Sequence, residues 1–95
     1  MLPLNYAILQ LFLTAEQADT TTVMTDLEPT YSKYRQFNRR AITESLMTAE
    51  ANGLLEETDF TLTNDQQIDI FYRATDSGRA MITRYIGLSA SPATT

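Results

Sequence analysis

The sequence predicts an α+β fold: three helices, a two- to three-stranded hairpin and a short C-terminal helix in one small domain. Three observations carry that expectation. Ile42, Leu46 and Ala49 recur at helical spacing through residues 38–52, and the pattern closes on Asn52-Gly53, a helix followed by its stop. Ile68, Ile70 and Tyr72 alternate with Asp69, Phe71 and Arg73, the period of a strand with one buried face. Thr75 or Asp76 then caps a last helix, in which Ala80, Met81, Ile82, Tyr85 and Ile86 can pack.

The earlier elements follow the same logic. Leu4, Ile8, Leu11 and Phe12 share a face at helical spacing, and Pro3 suits a first helical turn, so a first helix is expected over Leu4 to Leu13. Thr14-Ala15-Glu16-Gln17 has the spacing of a capping box and could start a short turn of its own. A second helix is expected from Thr21 to Leu27, capped by Asp19 or Thr20 and apolar along Val23, Met24 and Leu27. Glu28-Pro29 should end it, because a residue before proline disfavours helical angles. Residues 30–37 then read as a connector to the third helix, for which Asn38 is a good N-cap.

After Gly53, Leu54 and Leu55 anchor a first strand. Residues 57–67 read as a long polar hairpin tip in which Phe60 and Leu62 alternate with threonines. The domain is expected to span residues 1–88, with 89–95 as a flexible tail of small polar residues.

Composition narrows the chemistry. A chain of 95 residues with 43% apolar content builds one modest core. It has no cysteine and no histidine, which removes disulfides, thiolate ligands and the commonest general base and metal ligand. The three glycines are isolated, so no phosphate-cradling loop exists. Glu56 and Glu57 are adjacent on a strand and point to opposite faces, which is no acid/base pair. An enzyme is therefore not expected, nor any cofactor or metal. The apolar run from Ile8 to Leu13 is too short to cross a bilayer, so no membrane partner is expected and the cytoplasm is the default location.

Charge placement points to a partner. The net charge of −5 opposes indiscriminate binding to a polyanion. Yet Lys33, Arg35, Arg39 and Arg40 fall together, and no acid occurs from Pro29 through Thr43. The protein is acidic with one basic island, and the island leads into the third helix.

The run Ile42-x3-Leu46-x2-Ala49-x3-Gly53-Leu54-Leu55-Glu56, followed by Phe71-Tyr72-Arg73-Ala74-Thr75-Asp76-Ser77-Gly78-Arg79, resembles the winged helix-turn-helix core of PadR-like and MarR-like bacterial transcriptional regulators. The resemblance implies that helix 38–52 enters the major groove of double-stranded DNA and that the hairpin flanks it as a wing. An inserted helix needs short polar side chains near its N-terminus and arginines for phosphates or guanine edges. Arg39, Arg40 and Thr43 meet that need, as does Asn38 unless it is consumed as a cap. Ser32, Lys33 and Arg35 could hold neighbouring phosphates, while Tyr31 and Tyr34 read as packing residues. A homodimer would use the first and last helices, through Leu2, Tyr6, Leu9 or Leu13 with Tyr85 and Leu88.

The chain departs from that family pattern at the wing. Residues 56–69 contain Glu56, Glu57, Asp59, Asp65 and Asp69 and no basic residue, where a DNA-contacting wing carries lysine or arginine. Glu44, on the outward face of the third helix, should pair with Arg40 four residues earlier. The alternative is thus a winged-helix module that contacts a protein through its acidic wing and does not bind DNA.

Overall fold

The computed structural model describes residues 2–89, with the backbone alone for Leu88 and Ser89. Its elements are α1 (Leu4–Thr14), α2 (Thr20–Tyr31), α3 (Arg39–Ala51), β1 (Leu55–Leu62), β2 (Ile68–Ala74) and α4 (Asp76–Ser89). The expected order of helices and hairpin is the observed one, and the sheet has two strands. Of the expected tail at 89–95, Ser89 closes α4 and the rest lies outside the described residues.

One core holds every element. Phe12 and Ile8 of α1, Val23 of α2, Ile42 and Leu46 of α3, Leu55 of β1, Tyr72 of β2 and Ile82 of α4 are all buried. Ile82 is the expected anchor of α4, but Ala80 and Met81 face outward and take no part in the core. In α1, the inward stripe includes Ala7, and Leu11 is half-buried.

The segment between α1 and α2 differs from the capping-box expectation. Thr14 instead ends α1, its hydroxyl donating to the Leu11 carbonyl at 3.3 Å. Ala18 is extended and exchanges two backbone hydrogen bonds of 2.9 Å with Tyr72. This single bridge adds a third backbone segment to the outer edge of β2. Asp19 then caps α2, accepting from the Thr22 amide at 2.9 Å and from its hydroxyl at 2.7 Å.

Helix α2 runs through Pro29 instead of stopping at Leu27. The reason lies at its far end. Tyr31 is buried, packs edge-on against Tyr34 with ring centroids 5.0 Å apart, and donates its hydroxyl to the Leu2 carbonyl. Burial, with Tyr34 beside it, pushes the Tyr31 phenol above its usual range and keeps it a donor. That anchor offsets the one helical hydrogen bond that proline cannot make.

Helix α3 closes as its sequence predicts. Gly53 takes φ of +80°, and the Gly53 and Leu54 amides bond back to the Glu50 and Ala49 carbonyls at 2.9 Å each. Leu54 then meets the start of α4: its carbonyl accepts from the Thr75 amide at 3.1 Å. The Thr75 hydroxyl caps α4 by accepting from the Gly78 amide at 2.8 Å. A side chain on Gly78 would place its first carbon 2.0 Å from the Leu54 carbonyl oxygen, so this crossing requires glycine.

The hairpin is more regular than its polar composition suggests. β1 extends to Leu62, and the turn closes where the Thr63 amide donates to the Gln67 carbonyl at 2.8 Å. Register shifts between Glu57 and Asp59, leaving Thr58 as a bulge. Before the bulge, Leu55 and Glu57 oppose Ala74 and Tyr72; after it, Phe60 and Leu62 oppose Ile70 and Ile68. The extra residue therefore turns Phe60 and Leu62 onto the face that carries Tyr72, Ile70 and Ile68.

Leu46 is fully buried at the centre of α3. Replacing it with alanine should cost about 2–5 kcal/mol in chemical denaturation, as deletion of a core leucine does. A negligible loss would mean that the α3 stripe does not anchor the domain.

Candidate nucleic-acid interface

The N-terminus of α3, the preceding connector and the wing meet on one side of the molecule. Asn38 serves as the cap of α3: its side-chain oxygen accepts from the Ala41 amide at 2.9 Å and its amide nitrogen donates to the Arg35 carbonyl at 3.2 Å.

Arg39 is also committed. Its guanidinium donates to the Asp69 carboxylate at 2.5 Å and to the Thr21 hydroxyl at 2.9 Å. The same carboxylate accepts from Thr21 at 3.2 Å. Asp69 stands at an outward position of the alternating strand pattern, yet its side chain is only 11% exposed, against 48% for Arg39. Among the acids expected to face solvent from the wing, Asp69 is the exception. A buried carboxylate requires such partners. The pair joins β2 to the starts of α2 and α3.

Thr43 is half-buried, and its hydroxyl bonds that of Thr20 at 2.9 Å. Thr20, Thr21 and Asp69 thus belong to this site although the sequence reading assigned them no role there. No local signal singles them out, because their partners lie far along the chain.

The remaining residues are open. Arg40 carries a side chain 89% exposed, loosely paired with Glu44 at 3.4 Å as its spacing predicts. Ser32 is the exposed C-cap of α2, and Lys33 and Arg35 are exposed in the connector. Among the described residues, Lys33 and Arg35 make no ion pair. Between α3 and β2 runs a groove of about 530 Å³ lined by Arg39, Arg40, Thr43, Met47, Ile68 and Ile70 among others. The wing itself offers no cation until Arg73, which is bound to Glu56 at 2.5 Å. That hydrogen bond and charge raise the Arg73 pKa further above its ordinary value.

A second acidic feature lies behind the groove. Partial burial raises the Glu50 carboxyl above its ordinary value, helped by a hydrogen bond and like charge from Glu57. Together they raise the Tyr72 phenol, which burial raises most.

This geometry defines a class. Two helices joined by a turn, an antiparallel hairpin and a closing helix make a winged helix-turn-helix fold. The chain is similar in structure to PadR of Bacillus subtilis, solved in complex with operator DNA: the TM-score is 0.71 at 17% sequence identity. The match covers 97% of this chain and 52% of that one, so the chain spans about half the length of its structural neighbour. No family model and no curated protein matches the sequence. The fold is thus that of a PadR-like winged helix. No helix among the described residues is long and apolar enough to cross a membrane.

Two outcomes test the site as a structural unit. Arg39→Ala leaves Asp69 with the Thr21 hydroxyl alone and should destabilise by about 1–3 kcal/mol, between an exposed and a fully buried ion pair; thermal and urea unfolding would read it. A raised Glu50 pKa means that the folded state holds its proton longer than the unfolded chain. That contribution is present below the ordinary carboxylate value and is lost as pH rises through the raised one. Glu57→Gln should remove the share due to Glu57. Its stability relative to wild type should therefore increase across that window, measured by urea unfolding at successive pH values.

Proposed function

We propose that this chain is a DNA-binding transcriptional regulator that sets α3 in the major groove and holds phosphates with the connector before it. The observation that carries this reading is the exposed, acid-free basic island at the N-terminus of α3, on a fold shared with a protein solved on its operator. Lys33, Arg35 and Arg40 are the contacting cations, with Ser32 as a hydroxyl donor. Arg39 serves chiefly to orient α3 against the wing, and Thr43 reaches the groove beside it. The protein acts by binding, not by catalysis, and in the cytoplasm. A homodimer through α1 and α4 belongs to the same reading. It is supported by half-buried Leu2, Leu9, Leu13 and Tyr85 and by exposed Met81, although Tyr6 and Tyr85 already stack within one chain at 6.2 Å. The side chain of Leu88, expected in that contact, lies outside the described residues.

A second reading rests on the wing. Its acids repel DNA, which favours a protein at that surface. One titration separates the two. Anisotropy of a labelled random-sequence duplex should show binding by wild type that weakens steeply with salt. Removing three phosphate contacts in Lys33→Ala/Arg35→Ala/Arg40→Ala should flatten the log–log salt slope by about 0.9 per contact. The variant should unfold like wild type, because none of the three holds the fold. Absence of wild-type binding even at low salt would reject DNA as the partner.

A further inference from the structure

The wing carries an apolar face that nothing in the described chain covers. The bulge at Thr58 sets Phe60 and Leu62 opposite Ile70 and Ile68 on one face. Phe60 is 61% exposed, Leu62 67% and Ile68 61%. Isolated exposed apolar residues need no explanation, but three large ones contiguous on a sheet face mark a contact surface. Glu57 lies on that face and Asp65 in the turn beyond it, and among the described residues neither lies within ion-pair distance of a cation. The Asp65 carboxyl is held below its ordinary range, first by the Thr63 hydroxyl, and stays charged.

The chain displays the chemical complement of that face elsewhere. The connector presents Lys33, Tyr34 and Arg35, all exposed, with Tyr34 at 41%. In sequence an aromatic residue stands between two cations that make no ion pair among the described residues. A basic–aromatic strip and an acidic–apolar face match in both charge and hydrophobicity.

We infer that the apolar–acidic wing face docks the basic connector of a second copy of this chain. Each copy carries a net charge of −5, so the copies repel at long range and the contact is local and salt-sensitive. It is distinct from an apolar contact through α1 and α4, which salt would not dissolve. It also uses Lys33 and Arg35, the cations proposed for DNA, so a docked copy and a duplex exclude one another. The contact itself does not depend on DNA binding.

Sedimentation velocity of the full chain without DNA, over a range of protein concentrations at low and high salt, tests this. Wild type should associate at low salt and lose that step at high salt. Glu57→Lys/Asp65→Lys should weaken the step at least ~tenfold, and so should Lys33→Glu/Arg35→Glu; an equimolar mixture of the two variants should recover it to within ~threefold. Circular dichroism confirms that each variant is folded, and Leu62→Ser should weaken the step while leaving its salt dependence. A wild type that sediments independently of concentration at low salt overturns the inference. So does association that survives both reversals, or a mixture that fails to recover it.

Discussion

A single carboxylate organises the working side of this molecule. Asp69 sits in β2 near the turn end of the wing, almost removed from solvent, and accepts hydrogen bonds from Arg39 at the start of α3 and Thr21 at the start of α2. Burial of that charge is tolerable only while those donors are in place. The same contact joins the wing to the start of α3. It also gives Arg39 a partner within the chain. The hydroxyl pair of Thr20 and Thr43 ties α2 to α3 next to this clamp.

The second organising feature is one residue in the wrong register. Without the bulge at Thr58, strict alternation from Leu55 would place Glu57, Asp59 and Thr61 on the face of Tyr72. With it, Phe60 and Leu62 take that place, and the wing becomes an amphipathic ribbon. The surface is therefore divided. Cations gather at the connector and the start of α3, while acids and exposed apolar side chains gather on the wing.

Much of the fold was legible because periodicity is local. The α3 stripe, its Asn38 cap and its Gly53 stop, the alternation of β2 and the Thr75 cap of α4 all follow from neighbours within a few residues. Three features were not legible for the opposite reason. Pro29 argues for a helix end, but Tyr31 reaches back to Leu2 and holds the last turn. Thr14 to Gln17 has the form of a helix start, but Ala18 is drawn into an extended bridge by Tyr72. Asp69 reads as a solvent-facing strand residue, but its partners lie 30 and 48 positions away.

The candidate site divides along the same line. Sequence by itself determined that the chain is an acidic α+β domain with one basic island leading into a well-formed helix, because charge and periodicity are written in order along the chain. Which members of that island take a partner within the chain was decided by tertiary structure. Asn38 closes its own helix and Arg39 neutralises a distant buried carboxylate, while Lys33, Arg35 and Arg40 remain outside. A side chain's availability depends on what the folded chain brings within 3 Å of it, and residues far apart in sequence supply those partners.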